Sequence, residues 1–417
     1  MQLTSYGLTL SQQWKTFLVP VLLVYILLVH LLRDRRAKSL ERRFSPAGRA
    51  SFCRMTTDDA QAILKDLTEL EFPKFFGFSI IFALFKTYGI PSVSSLLVAT
   101  GQLVDVETAS KRIADTGVLL LEFALNEPTS ERATQAIARM NYLHAGYQKA
   151  GKITNDDMLY TLSLFALEPA RWVRKYEWRK LTELELCACG TYWKSMGDAM
   201  DISYSILPSS IPGWKDGLQW LDEVEAWSLR YEEAYMVPAV TNKQLADSHL
   251  EIICMNVPAR LLNPCKKLIS VILGERLRTA MMYPESPQVY HTIINGVLGV
   301  RKLLLRYLAL PRPEMMRKHY IPSGPDQSTG RYNAVEYLSY PWYVEPTFST
   351  RWGPRSWITR LVGRKLPGDD GNKYLPEGWT HTEIGPKALR GKGIEYMEED
   401  RKRLNSRKRG GCPFALG

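Results

Sequence analysis

The amino-acid sequence predicts an all-α protein with one N-terminal transmembrane helix and a loop-rich C-terminal wrap. Three observations support this prediction. Residues 16–32 are apolar and uncharged, apolar residues recur every three or four positions between about residues 107 and 310, and proline and glycine are concentrated after residue 310. Few runs alternate with a period of two, so a sheet-based fold is not expected. A chain of 417 residues can bury a sizeable core.

The first element is a predicted membrane anchor at residues 16–32, which contain no Asp, Glu, Lys or Arg. At about 1.5 Å per residue, a helix of this length comes close to a hydrocarbon core of about 30 Å. A cleaved signal peptide is the alternative, but Lys15 is the only base before the apolar run and no small-x-small cleavage site follows it. The anchor is therefore expected to be retained.

The charges around the anchor predict its orientation. Bases crowd its C-terminal flank at Arg33, Arg35, Arg36, Lys38, Arg42 and Arg43. By the positive-inside rule, residues 1–15 are predicted to be lumenal and the rest of the chain cytosolic. Much of the net charge of +11 lies in this flank and in residues 401–409. Attraction to anionic membrane lipid explains that distribution better than binding to nucleic acid.

The cysteines and glycosylation motifs agree with a cytosolic domain. No Asn-x-Ser/Thr sequon occurs, and the six cysteines show no disulfide-like spacing. Cys187 and Cys189 are too close together for a zinc pair, and no matching pair accompanies them. We interpret all six cysteines as structural.

The rest of the chain divides into three predicted regions. Residues 33–60 form a basic juxtamembrane connector, residues 61–310 a helical domain, and residues 311–417, with 11 of the 24 prolines and 13 of the 28 glycines, an extension packed on that domain. A second apolar run at residues 75–85 is too short to span a bilayer and is either core or a stretch resting on the membrane. Predicted helix starts lie at Ser130, at Asn155 and at Thr182 with Glu185.

Several enzyme classes lose support because their motifs are absent. The sequence has no Gly-x-x-x-x-Gly-Lys-Ser/Thr loop, no Gly-x-Gly-x-x-Gly after a strand, no Gly-x-Ser-x-Gly elbow and no His-Glu-x-x-His. Nucleotide-dependent enzymes, serine hydrolases of the elbow type and zincins are therefore not indicated.

Two helical segments carry candidate functional residues. His144 shares a helical face with Ile137 and Tyr147, where a lone histidine is more often a core residue than a ligand. Arg112, Asp115 and Thr116 are spaced i, i+3 and i+4, so they are expected to project together from a largely apolar helix. A polar helix flank with a local Arg/Asp pair is the simpler interpretation of that spacing.

These segments resemble a known family. The helix with Arg112, Asp115 and Thr116, the Tyr-Leu-His-Ala run ending at residue 145 and the block at residues 151–162 are similar to the ordered motifs of the latex-clearing rubber oxygenases. The blocks at residues 174–185, 190–200, 236–239 and 411–414 resemble fungal endoplasmic-reticulum-bound oxygenases of mycophenolic acid biosynthesis. The second resemblance covers nearly the whole chain, the anchor included.

The resemblance implies a haem b oxygenase with a globin-like helical core, in which His144 is the axial iron ligand. It places Arg112 and Thr116 on the distal side. Asp115 stands where the rubber oxygenases have a lysine that can occupy the sixth iron position, so Asp115 is expected to orient Arg112 or a water instead.

The implied reaction uses molecular oxygen to cleave a C=C bond in the prenyl (farnesyl) side chain of a meroterpenoid at the endoplasmic reticulum membrane. The expected partners are an apolar prenylated small molecule and membrane lipid, with no nucleic acid; no protein partner is indicated. Two alternatives remain open from the sequence: a non-catalytic membrane-anchored helical scaffold in which His144 is core, and an oxygenase with a non-haem metal.

Overall fold

The computed structural model describes residues 3–103, 105–255, 257–407 and 409–414, with side chains described from Phe17 onward. The helices of the N-terminal part and the body are α1 (Leu3–Leu32), α2 (Arg35–Phe44), α3 (Thr57–Asp66), α4 (Pro73–Thr87), α5 (Pro91–Ala99), α6 (Val106–Leu125), α7 (Glu131–Lys149), α8 (Asn155–Tyr176), α9 (Glu183–Ala199), α10 (Gly217–Tyr235), α11 (Val240–Cys254), α12 (Ala259–Leu273), α13 (Glu275–Ala280) and α14 (Gln288–Tyr307). The C-terminal extension holds α15 (Phe348–Trp352), α16 (Pro354–Leu361) and α17 (Ile394–Ser406).

Apart from one isolated bridge between Tyr332 and Trp379, these described residues form no β-structure. The prediction of an all-α protein is confirmed.

The helix starts follow local capping chemistry. Ser130 accepts a hydrogen bond from the backbone N–H of Ala133, and Thr182 forms a reciprocal capping box with Glu185, as predicted. The start predicted at Asn155 is wrong by one residue. Thr154 is the cap of α8, because its hydroxyl accepts from the backbone N–H of Asp157.

The helices of the body pack as layers around a shared core. α4 lies along α8, α9 lies between α3 and α10, and α11 packs on α5 and α6. At the crossing of α9 and α10 the backbones touch. A Cβ on Gly190 would come within 2.0 Å of the carbonyl oxygen of Gly217, so this contact requires glycine.

The C-terminal extension docks on the body through buried groups. Trp379 is buried, and Trp342 is buried with its indole Nε1 donating to the Ser110 hydroxyl at 2.9 Å. Trp352 and Trp357 remain half exposed and pack on the guanidinium of Arg360. The apolar run at residues 75–85 lies within α4, where four of its residues are buried and six are partly buried, although Phe78 is exposed.

The anchor helix is fixed to the body at its C-terminal end. Val29 is buried, and the Arg33 guanidinium donates to the carbonyl oxygen of Leu305 and stacks on Trp178 at 4.1 Å. The segment that follows is helical as α2 and buries Leu40. Within the described residues, the stretch Phe17–Phe44 includes a helix long and apolar enough to cross a membrane.

Candidate functional site

The main cavity of the body has a volume of about 830 Å³ and lies between α4, α6, α7, α8, α9 and the C-terminal extension. Ligand pockets of proteins commonly measure about 300–1,000 Å³, so this cavity suits a large ligand. Its walls are mainly Leu, Ile, Val, Phe, Met and Trp side chains. The polar groups on such a wall are the natural candidates for chemistry.

Arg112 and Thr116 of α6 face this cavity. The helix begins where Asp105 accepts hydrogen bonds from the backbone N–H groups of Glu107 and Thr108. The Thr116 hydroxyl donates to the carbonyl oxygen of Arg112 at 2.8 Å and accepts from its guanidinium at 3.2 Å. Thr116 therefore holds Arg112 in place, and most of the five N–H donors of Arg112 have no partner among the described residues.

Asp115 does not share this face, and the expectation that it projects with Arg112 and Thr116 is wrong. It is buried against the C-terminal extension, where it accepts hydrogen bonds from the Tyr343 hydroxyl at 2.6 Å and from the Gly385 backbone N–H at 3.2 Å. Its ion pair is with Lys111 at 2.7 Å. Adjacent helical residues point about 100° apart, so Asp115 points away from Thr116 and toward the extension.

His144 of α7 faces the same cavity as Arg112. Its Nδ1 is buried without a hydrogen-bond partner among the described residues. Burial and the nearby positive charge of Arg112 lower the pKa of His144 to about 4. The ring is therefore neutral near pH 7, which is the form that binds metals.

His249 of α11 is a second imidazole on the wall of this cavity. It is 5% exposed, its Nε2 has no hydrogen-bond partner among the described residues, and burial lowers its pKa to about 4. The ring packs against Phe85 at 5.3 Å and Tyr88 at 5.8 Å between centroids. The sequence did not reveal this proximity, because residues 144 and 249 are far apart in the chain and lie on different helices.

A buried ionic cluster borders the cavity at Glu122. The carboxylate accepts from Arg132 at 2.5 Å and lies 3.5 Å from His381 Nε2. Burial opposes ionisation of Glu122, but the nearby His381 ring and the ion pair with Arg132 outweigh it and lower its pKa. Because His381 belongs to the Gly/Pro-rich extension, sequence reasoning did not place it near α6.

At one position where α6 lines the cavity, its backbone is not covered by a side chain. A Cβ placed on Gly117 would find no atom within 4 Å, so a flat group can approach the helix closely there. The described residues contain no cluster of three or more His, Cys, Asp or Glu side chains able to hold a metal ion. Among the described residues, the cavity wall thus offers separate imidazoles, the Arg112 guanidinium and many apolar side chains.

Comparisons with known proteins identify relatives of the whole chain. It is 44% identical over 403 residues to the ER-bound oxygenase mpaB' of Penicillium brevicompactum, an alignment that covers 96% of this chain and 95% of that protein. It is 41% identical to the ER-bound oxygenase mpaB of the same organism, covering 91% of this chain and 90% of that protein.

The chain belongs to the mpaB family of ER-bound oxygenases. A third mpaB protein, from Penicillium roqueforti (strain FM164), is 46% identical over 66% of this chain and 92% of its own length. No family model matches the sequence. The resemblance to fungal ER-bound oxygenases is thereby confirmed, and this mpaB-family protein is an oxidoreductase of the ER membrane. Family membership decides against the non-catalytic scaffold.

Proposed function

We propose that this mpaB-family protein is a haem b-dependent oxygenase that uses molecular oxygen to cleave a C=C bond in a prenyl side chain. The substrate would be the farnesyl chain of a meroterpenoid intermediate, as in mycophenolic acid biosynthesis. The supporting observation is the neutral His144 imidazole, which has no partner among the described residues and faces an apolar cavity of about 830 Å³.

The residues present fit a haem better than a bare metal ion. A porphyrin supplies four ligands to its own iron, so one protein imidazole completes the attachment. His144 would be that ligand, and the bare backbone at Gly117 leaves room for a flat macrocycle beside α6. A non-haem iron site of the usual kind needs two histidines and a carboxylate that converge, and no such cluster occurs among the described residues.

The chemistry supplied by a bound haem is the binding and activation of dioxygen. The protein contributes the environment. The Arg112 guanidinium is a fixed cationic donor on the cavity wall, positioned by Thr116, and it would stabilise negative charge that develops on the reacting oxygen. The apolar walls exclude water and hold the hydrocarbon chain. Addition of one oxygen atom of O₂ to each alkene carbon balances the reaction as two carbonyl products.

The anchor suits an apolar substrate, since a farnesyl chain concentrates in the bilayer. The basic flank after residue 32 supports a single-pass orientation with the N-terminus in the lumen and the oxygenase domain in the cytosol. Arg33 and Arg36 of that flank are also used inside the protein, since they bond the carbonyl oxygens of Leu305 and Arg312.

The decisive experiment is spectroscopic. The full chain, purified after expression with ample haem, should show a Soret band and contain haem b. His144→Gly should lose the haem, and added imidazole should restore the Soret band by filling the vacated ligand position.

The matched control is His291→Gly on α14, which lies outside the cavity and should keep the haem. A purified wild-type protein without a Soret band would overturn the haem proposal. Loss of haem from His249→Gly, with retention in His144→Gly, would transfer the ligand role to His249.

A further inference from the structure

The outer side of α14 carries a continuous apolar stripe that no described residue covers. Its members recur at helical spacing and are all exposed, with Val297 63% exposed. We call this stripe the α14 face: Val289, Ile293, Val297, Val300, Leu304 and Tyr307. Segment 288–310 contains no Asp or Glu. A water-facing helix side normally carries charged residues, so this one is made for an apolar surrounding.

The inner side of α14, which lies next to the α14 face, attaches the helix to the body. Arg301 donates to the Tyr176 carbonyl oxygen at 3.0 Å and to the Glu177 carboxylate at 2.8 Å. Its guanidinium also stacks on the Phe75 ring of α4 at 4.5 Å. The inner side is therefore occupied by protein, and the α14 face is the side left over.

The α14 face is continuous with the membrane anchor. The Tyr25 hydroxyl of α1 donates to the carbonyl oxygen of Leu308 at 2.7 Å, and Arg33 bonds the carbonyl oxygen of Leu305. Tyr25 lies about 10 Å from Leu32 along the helix axis, well inside the apolar segment. The C-terminal end of α14 thus reaches the part of α1 that has the composition of a membrane span.

We propose that the α14 face lies in the lipid bilayer beside the anchor, as a second membrane contact of the domain. A helix of this kind buries its apolar side about 5–10 Å into the boundary between headgroups and acyl chains. The depth of Tyr25 agrees with that range. Two contacts at an angle would fix the orientation of the body against the membrane, which one anchor alone does not.

This orientation would bring one end of the cavity to the lipid. Phe75, which Arg301 of α14 contacts, lies 6.2 Å from Phe78 between ring centroids. Phe78 is 51% exposed and also lines the cavity. A bilayer-dissolved prenyl chain would then meet the cavity at Phe78; this consequence, unlike the lipid contact itself, rests on the proposed function.

The test places the full chain in phosphatidylcholine nanodiscs that contain a lipid with a photoactivatable diazirine on its acyl chain. Mass spectrometry then locates the labelled residues. Label is expected on α1 and on Val297, Val300 and Leu304, and not on Leu298 of the inner side. Because labelling reports position and not turnover, the result does not depend on the oxygenase chemistry.

Val297→Asp is the discriminating variant, because it places a charge in the centre of the α14 face. It should reduce the labelling of α14 several-fold while α1 stays fully labelled. Asn295→Asp adds the same charge to an exposed position on the flank of the same helix and should leave the labelling unchanged.

Label confined to α1 in the wild-type protein would overturn the proposal. Two chains per nanodisc joined by cross-links through α14, with no lipid label there, would also overturn it and assign the face to a second copy of the chain.

Discussion

Helices α6 and α7 each place polar side chains against the C-terminal extension and against the cavity. The two surroundings differ in the hydrogen-bond partners that they give those side chains. Toward the C-terminal extension, Asp115 and Arg139 are buried with hydrogen-bond partners. Toward the cavity, Arg112 keeps most of its donors free and the His144 ring has no partner among the described residues. Burying a polar group without a partner costs stability, so we expect the polar groups on the cavity side to be kept for function.

The side that faces the extension is built for stability. Arg139 is fully buried, and its guanidinium donates to three backbone carbonyl oxygens, those of Ile384, Leu389 and Lys392, at 2.7–2.9 Å. Those carbonyls belong to a loop-rich segment with little regular structure to satisfy them. One side chain therefore replaces the hydrogen bonds that a sheet or helix would otherwise provide.

The side that faces the cavity leaves polar groups without such partners among the described residues. His144 and His249 are both kept neutral by burial, and both carry ring nitrogens that no described residue bonds. Unsatisfied polar atoms in a large apolar cavity, together with perturbed pKa values, mark functional sites more often than structural ones. This contrast can be tested by substituting one residue on each side.

The largest effect is expected from Arg139→Leu. Three backbone carbonyl oxygens would lose the Arg139 guanidinium as a donor, so the free energy of unfolding should fall by about 3–5 kcal/mol and the extension should loosen. Thermal unfolding and limited proteolysis of the purified full chain would measure this. Cleavage should move to the region around residues 384–392.

Arg139→Lys is the matched control, since it retains the charge but can reach fewer of the carbonyls and should lose part of the stability. Unchanged protease resistance in Arg139→Leu would mean that the extension is held elsewhere, for example through Trp342.

Arg112→Met should lower turnover strongly and stability little, in contrast to Arg139→Leu. Loss of a preorganised donor commonly reduces turnover about 100- to 1,000-fold, while the stability should change little because only Thr116 loses a partner. The comparison needs turnover per haem, so that loss of cofactor is not counted as loss of chemistry. Arg112→Lys keeps a cation on the wall and should retain part of the activity. A large fall in the unfolding temperature of Arg112→Met, with normal turnover, would make Arg112 structural.

The sequence predicted the helices well because their signals are local. Periodicity, the Ser130 cap and the Thr182–Glu185 box involve neighbouring residues, and the structure has them as expected. The anchor is similarly local, as an uncharged apolar run with a basic flank. The division of the chain into a body and an extension, and the globin-like haem-binding core, remain predictions.

The contacts between distant segments were the part that local patterns did not reveal. Spacing grouped Asp115 with Arg112, but the partner that decides its direction, Tyr343, lies in an extension whose path has no period. His249 joined the cavity only through packing of α11, and the exposed side of α14 depends on which side the body occupies. Helical spacing shows which residues share a stripe, but not what covers it.

Asp115→Asn is a more conservative substitution on the side that faces the extension. The amide keeps the shape and can still accept from Tyr343, but the charge that holds Lys111 is lost, so we expect a destabilisation of about 1–3 kcal/mol. Tyr343→Phe removes the hydroxyl alone and is the partner for a double-mutant cycle. A coupling near zero between the two would show that the charge of Asp115 adds little to the bond at 2.6 Å. Turnover per haem should stay normal in both variants.

The smallest effect is expected from His249, as a dependence of the unfolding free energy on pH. It isolates the stability that is lost by keeping a polar group without a partner on the cavity side. Its pKa in the folded protein is about 4, against an ordinary value of 6.5. Between these values the unfolded chain binds a proton that the folded chain does not, so this histidine makes the protein less stable as the pH falls from about 6.5 to 4. The loss approaches about 1.4 kcal/mol per pH unit.

His249→Phe should remove that loss while keeping the aromatic packing on Phe85 and Tyr88. Unfolding midpoints of the wild type and the variant should nearly agree at pH 7, and at pH 5 the variant should be more stable by about 2 kcal/mol. Parallel pH profiles would mean that the folded protein protonates His249 or pairs it with a group in the cavity. His319→Phe, at an exposed site outside the cavity, is the control substitution. The difference at pH 5 therefore measures the stability that the protein loses by keeping the His249 imidazole in the cavity wall without a hydrogen-bond partner among the described residues.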